Sequence, residues 1–166
     1  MHPIQDGPGP EPEGHAFLRE LLFFLQAHRH RDVGLLWPQA APPGSGRDTA
    51  GEGWSRLAAE LAEGLRCPVR VLPGRRAAPD RRVVAAATET LVVQVSGVSV
   101  WRLLDGRSEA GGHEAGGHEA GGHEAGRPVV NGLTVRLRAG EALYLPAGYR
   151  TVTPEASGTR RTLHLG

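Results

Sequence analysis

The feature that most constrains this chain is a change of period at Pro68. Before it, apolar residues recur every three or four positions, as on one side of a helix. "HAFLRELLFFLQAHRH" (His15 to His30) carries Phe17, Leu18, Leu21, Leu22, Phe24 and Leu25 as a broad apolar stripe. "WSRLAAELAEGLRC" puts Trp54, Leu57, Leu61 and Leu65 on one face, with Pro68 just past its end. After Pro68 apolar residues alternate, and the pattern predicts strands at 69–72, 82–87, 90–95, 98–104, 133–138, 142–145 and 161–165. "TLVVQVSGVSVWRLL" reads as a hairpin turning at Ser96-Gly97. "GEALYLPAGYRTVTP" (Gly140 to Pro154) reads as a strand, a corner at Pro146, Ala147 and Gly148, and a second strand. Two leading helices followed by short strands predict an α+β chain whose core is a small barrel or a double-sheet jelly roll.

The chain divides by composition. Residues 1–14 are too rich in Pro and Gly to order alone and read as a disordered tail. Residues 15–37 form a helical segment, 38–53 a Pro/Gly-rich linker, and 54–166 the β-rich domain. Three copies of EAGGH and a partial fourth (109–126) interrupt that domain; five Gly-rich residues per unit are too few to fold, so this reads as an expanded loop. With 166 residues there is room for one domain with a real core, not for two of ordinary size.

Charge and cysteine content narrow the function classes. The net charge of +1, with all basic residues Arg and these scattered, gives no case for a nucleic-acid partner. Cys67 is the single cysteine, which excludes an internal disulfide framework and suits a reducing, cytoplasmic setting. The N-terminal stretch lacks a basic-then-apolar signal pattern, and no apolar run approaches membrane-spanning length. The expectation is a soluble cytoplasmic protein away from membranes, whose partner, if it has one, is another protein. Sequence leaves its oligomeric state open.

Three segments together carry a family resemblance. "LAAELAEGLRCPVRV" resembles the helix and first strand leading into the barrel of cupin-like JmjC oxygenases of the ribosomal oxygenase type. "TETLVVQVSGVSVWRLL" is similar to that family's strand pair, in which an apolar run ends in Gln and is followed by a Gly turn, Trp and Arg. "LRAGEALYLPAGYRTVTP" with the later "TLHLG" resembles its closing segment. The match runs from Ala58 to Gly166, apart from the EAGGH insertion. The resemblance implies N-terminal helices packed on a cupin-like double-stranded β-helix (jelly roll). It further implies Fe(II), 2-oxoglutarate as co-substrate, and hydroxylation of a protein side chain. Such chemistry needs two His and a carboxylate on one side of the iron. Aligned on Gln94, the family's His-x-Asp pair falls on Val84 and Ala86, its second His on Thr151, and its oxoacid-binding lysine on Ser99.

No small shift restores these groups, because no histidine lies between His30 and His113 or between His123 and His164. Asp80 and Glu89 lie near the carboxylate position, but one carboxylate without imidazoles holds Fe(II) poorly. The repeat histidines His113, His118 and His123 are weak metal candidates, since flexible Gly-rich backbone preorganises nothing. Gln94 and Tyr144 are candidates to line a residual pocket, against the plainer reading of a satisfied interior amide and a core aromatic. His28 and His30 read as favourable charges at a helix C-terminus, His164 as a packed or hydrogen-bonded strand residue, and Trp54, Trp101 and the Phe17–Phe24 stripe as core.

The leading expectation is therefore a cupin/JmjC-like protein that keeps the framework, lacks catalytic, metal and oxoacid ligands, and serves as a non-catalytic binding module. The alternative is an active metal-dependent dioxygenase with unorthodox ligands, Asp80 or Glu89 plus a histidine from the repeat. A third expectation is weak metal sequestration by the EAGGH tract.

Overall fold

A computed structural model of the chain describes residues 14–43, 51–72, 83–104 and 132–166, with the backbone alone at 153–156. Most of the expected tail, part of the linker, Asp80, and the EAGGH tract with His113, His118 and His123 lie outside the described residues.

Two helices lead. Helix α1 (His15–His28) buries Phe17, Leu21, Phe24 and Leu25, the stripe expected from the sequence, and ends two residues before His30. Helix α2 (Glu52–Leu65) buries Trp54, Leu57, Ala58 and Leu61 and starts inside the expected linker. It stops because Arg66 turns into the left-handed region at φ 53°. There the Cys67 N–H donates to the Ala62 carbonyl and the Arg66 N–H to the Glu63 carbonyl, a paired helix end usually built on glycine.

Among the described residues there are nine strands: β1 (Gly34–Leu36), β2 (Val69–Leu72), β3 (Val83–Ala85), β4 (Glu89–Gln94), β5 (Val98–Leu104), β6 (Gly132–Arg138), β7 (Ala142–Leu145), β8 (Arg150–Ser157) and β9 (Arg160–Leu165). Strand β1 was not expected, being only three residues between two loops, and it pairs with β7 at the sheet edge. All pairings are antiparallel and form two sheets, β1-β7-β4-β9-β2 and β3-β8-β5-β6.

The described elements stack in three layers. One apolar cluster joins α1 and α2 to Leu91, Val93, Ala142, Tyr144, Leu163 and Leu165 of the five-stranded sheet. A second joins Val92, Leu143 and Leu145 of that sheet to Trp101, Leu103, Val135 and Leu137 of the four-stranded sheet. The architecture is thus a β-sandwich of antiparallel sheets with helices over one outer face. This explains why β4 and β7 are buried along their whole length: odd positions of β4 face the helices and even positions face the other sheet. Each fully buried Leu here contributes about 1.5–3 kcal/mol of transfer free energy.

Two close approaches require glycine. A Cβ at Gly34 would sit 2.6 Å from the Phe24 ring, so only glycine lets β1 pass under α1. A Cβ at Gly97 would lie 2.4 Å from the Ser157 carbonyl oxygen, and one at Gly158 would lie 2.2 Å from that of Ser96. The two turns therefore press together and close one end of the sandwich.

Candidate functional site

The inner faces of the two sheets are where the family resemblance puts its chemistry. On β3 and β8, Val84 stands directly opposite Thr151, and Thr151 in turn stands opposite Leu103 of β5. Leu103 is part of the inter-sheet cluster, so alternation places Thr151 and Val84 on the same inner side. Ala86 lies just past β3, its N–H donating to the Tyr149 carbonyl and its own carbonyl accepting from Gly148 N–H. The structure thus brings together the positions aligned with the family's ligands. What stands there is an isopropyl group, a methyl group and a hydroxyl.

Those side chains do not fit Fe(II). A 2-His-1-carboxylate set needs two imidazoles and one carboxylate converging on one side of the ion. Thr151 Oγ1 instead donates a long, 3.5 Å hydrogen bond to the Val84 carbonyl. Among the described residues, no three His, Cys, Asp or Glu side chains gather closely enough to hold a metal ion.

Ser99, aligned with the oxoacid-binding lysine, is fully buried on the inner face of β5 and already engaged. Its Oγ donates to Gln94 Oε1 at 2.7 Å and accepts from Trp101 Nε1 at 2.9 Å. Gln94 Nε2 donates to the Ser96 carbonyl at 2.7 Å and to the Ser157 carbonyl at 3.3 Å. The amide therefore spends its groups stitching β4, β5 and the end of β8 together. Next to this network the Arg160 guanidinium lies 5.6 Å from the centre of the Trp101 ring, a cation–π contact, and burial lowers its pKa.

The second polar cluster lies on the other face of the five-stranded sheet. Glu89 opens β4 and points with Leu91 and Val93 toward the helices. Its Oε2 accepts from Arg29 Nε at 2.8 Å, with Arg29 Nη2 also at 2.8 Å. Its Oε1 accepts from the Tyr144 hydroxyl at 2.7 Å and from the His30 N–H at 3.2 Å, and lies 2.7 Å from His30 Nδ1. Tyr144 Oη itself accepts from the His30 N–H at 3.1 Å. His30 reaches this position by adopting a left-handed backbone at φ 60°.

Protonation follows from this geometry. Burial raises the Glu89 pKa, but the hydrogen bonds from Tyr144 and Arg29 and the Arg29 charge outweigh it, leaving the carboxyl below its usual range. Burial, reinforced by the hydrogen bond to Glu89, pushes Tyr144 up to about 12. Arg29 loses by burial but gains more from Glu89, and its pKa is raised.

The candidate residues fall in different places. Gln94 and Tyr144 do not line one pocket: both are fully buried, on opposite faces of the sheet, and each is committed to its own network. Glu89 is turned away from the inner face, because strand alternation pairs it with Leu91 rather than Val92, so it does not join the ligand positions there. His30 is beyond the helix rather than on its last turn, whereas His28 stays in that turn with its ring 4.7 Å from that of Phe24. Trp54 and Trp101 are core, as expected. The ion pair of Arg29 with Glu89 went unforeseen, although a Glu heading the otherwise uncharged strand "ETLVVQ" was the available signal.

No family model matches the chain, and no curated protein matches it. Among solved structures, it is similar to the WlaRB TDP-quinovose 3,4-ketoisomerase from Campylobacter jejuni at 15% identity and TM-score 0.35, covering 58% of this chain and 59% of that one. A DUF861 family protein from Thermotoga maritima is 12% identical at TM-score 0.37, covering 81% of this chain and 100% of that one. YcfD, a ribosomal oxygenase from Escherichia coli solved with cobalt and succinic acid, is 16% identical at TM-score 0.38, covering 81% of this chain and 39% of that one. The chain thus spans less than two thirds of the ketoisomerase and of YcfD. No helix among the described residues is long and apolar enough to cross a membrane.

Proposed function

We propose that this chain is a cupin-like jelly roll that has kept its framework and serves as a non-catalytic binding module. Two sheets ordered β2-β9-β4-β7 and β3-β8-β5-β6, with β1 at one edge, support the jelly-roll reading. The observation that carries the reading is chemical: the inward pair Val84 and Thr151, with Ala86 beside it, offers one hydroxyl where an oxygenase needs imidazoles and a carboxylate. Ser99, tied between Gln94 and Trp101, supplies no cation at the position aligned with the oxoacid-binding lysine. The ligand of such a module is a protein or a small molecule in this reading, because a net charge of +1 supplies no general attraction to a polyanion.

The test is metal binding by gain of function. Purified wild-type chain titrated anaerobically with Co(II) is expected to show no tight stoichiometric site and, with Fe(II), no decarboxylation of 2-oxoglutarate. The combined substitution Val84→His, Ala86→Asp and Thr151→His is expected to tighten Co(II) binding by about a hundredfold or more. One firmly held transition-metal ion per wild-type chain, retained after removal of residues 109–126, would sink the reading.

A further inference from the structure

We propose that the end of the sandwich where β2, β9 and β4 lie side by side is a binding site for a small oxyanion, a carboxylate or phosphate group carried on a compact molecule. A cleft of about 320 Å³ opens there, lined by Pro68, Arg70, Thr88, His164 and Gly166. That volume is at the lower end of small-molecule sites.

The register explains why these groups converge. Arg70 pairs with His164 across β2 and β9, and His164 pairs with Thr90 across β9 and β4. The three therefore share one face, the inner one, since Thr90 alternates in step with Val92 of the inter-sheet cluster. One step outward, the Gly166 N–H donates to the Pro68 carbonyl at 2.9 Å, and a Cβ at Gly166 would meet nothing within 4 Å.

Three features of the cleft point to an anion. Thr88 Oγ1 is buried and has no hydrogen-bond partner among the described residues, a state that costs stability until an acceptor or donor arrives. Among the described residues Arg70 and His164 have no acid partner, and no Asp or Glu side chain is among those that line the cleft. Glu89, between Thr88 and Thr90 in sequence, turns its carboxylate to the opposite face and spends it on Arg29 and Tyr144. A planar guanidinium that receives two oxygens of one ligand, with a hydroxyl and a ring nitrogen donating from the side, suits a carboxylate or a phosphate. None of the residues lining the cleft is a position aligned with a metal ligand, so the proposal does not depend on whether the barrel is catalytic.

The experiment is an NMR titration of the full chain with inorganic phosphate and, separately, with propionate, following the amides of Arg70, Thr88 and His164. Saturable shifts confined to this corner are expected with at least one anion, and the anion that saturates identifies the group recognised. Arg70→Gln is expected to weaken that binding by about tenfold, and Thr88→Val, close in shape, by about threefold to tenfold. Arg136→Gln, on the exposed face of the other sheet, is expected to leave it unchanged, and the amide spectrum of each variant reports that it is folded. No saturation by either anion, or saturation that survives Arg70→Gln and Thr88→Val undiminished, would overturn the proposal.

Discussion

The two faces of the five-stranded sheet bury polar groups in different ways. On the helix side, the ion pair of Glu89 with Arg29 is buried beside the end of α1, and the Tyr144 hydroxyl and the His30 N–H complete the partners of both carboxylate oxygens. On the inner side the network of Gln94, Ser99 and Trp101 is uncharged, and the positions where the resemblance expects charged ligands hold Val, Ala and Thr. Among the described residues the buried carboxylate fastens the end of α1 to the sheet, while the inner side carries cations such as Arg160 over Trp101 but no ion pair. A buried ion pair is a poor source of net stability, yet removing one partner strands the other. Its presence therefore marks a joint whose geometry is tightly specified.

The sharpest way to break the contrast is Glu89→Ala. It leaves the Arg29 guanidinium and the Tyr144 hydroxyl without their acceptor, and chemical denaturation is expected to show a loss of about 3–5 kcal/mol. The same cluster sets the pH dependence. Because the Glu89 pKa is lowered in the fold, its contribution is complete above the unfolded value near 4.5 and is lost as pH falls through the lower folded value. Because Tyr144 is raised to about 12, its contribution is complete below 10 and is lost as pH rises toward 12. Stability measured against pH should therefore fall at both ends, with Glu89→Gln flattening the acid limb and Tyr144→Phe the alkaline one. If both variants track wild type, the cluster is not the joint described.

On the inner face Ser99→Ala is expected to cost about 1–3 kcal/mol, since Gln94 Oε1 and Trp101 Nε1 each lose a buried partner. Unlike Glu89→Ala, it should leave the shape of the pH profile unchanged, which a stability series over the same pH range would check. The smallest effect is expected at Thr151→Val. Among the described residues the hydroxyl makes the long bond to Val84 and no other, so a change within about 1 kcal/mol is expected from thermal unfolding. A large loss there would show that the aligned ligand position still carries a structural or binding role.

Much of the architecture was legible in order. The Phe17–Leu25 stripe and the Trp54–Leu65 stripe gave both helices, because these signals are local; the Gly97 and Pro146–Gly148 turns were also legible, but neither closes a hairpin, since β4 and β7 belong to one sheet and β5 and β8 to the other. Strand β1 escaped notice, since three residues carry no period of their own. The site was legible only in part. Alignment on Gln94 pointed to Val84 and Thr151, and the register sets them opposite one another. It could not show that Ser99 closes a bond chain between Gln94 and Trp101.

Sequence by itself determined which residues alternate, where the chain turns, and which side-chain types are missing from the stretches that became the inner walls. It could not determine which layer each side of β4 meets. "ETLVVQ" is apolar at both parities in its middle, so alternation says only that Glu89 and Gln94 point opposite ways. That choice was made by tertiary packing, when α1 covered one face and the four-stranded sheet covered the other. Arg29 and Glu89 are 60 residues apart, and Arg70 and His164 lie at opposite ends of the β-rich region. Only closure of the sandwich brings such groups within reach, because hydrogen bonds and ion pairs act over a few ångströms whatever the distance along the chain.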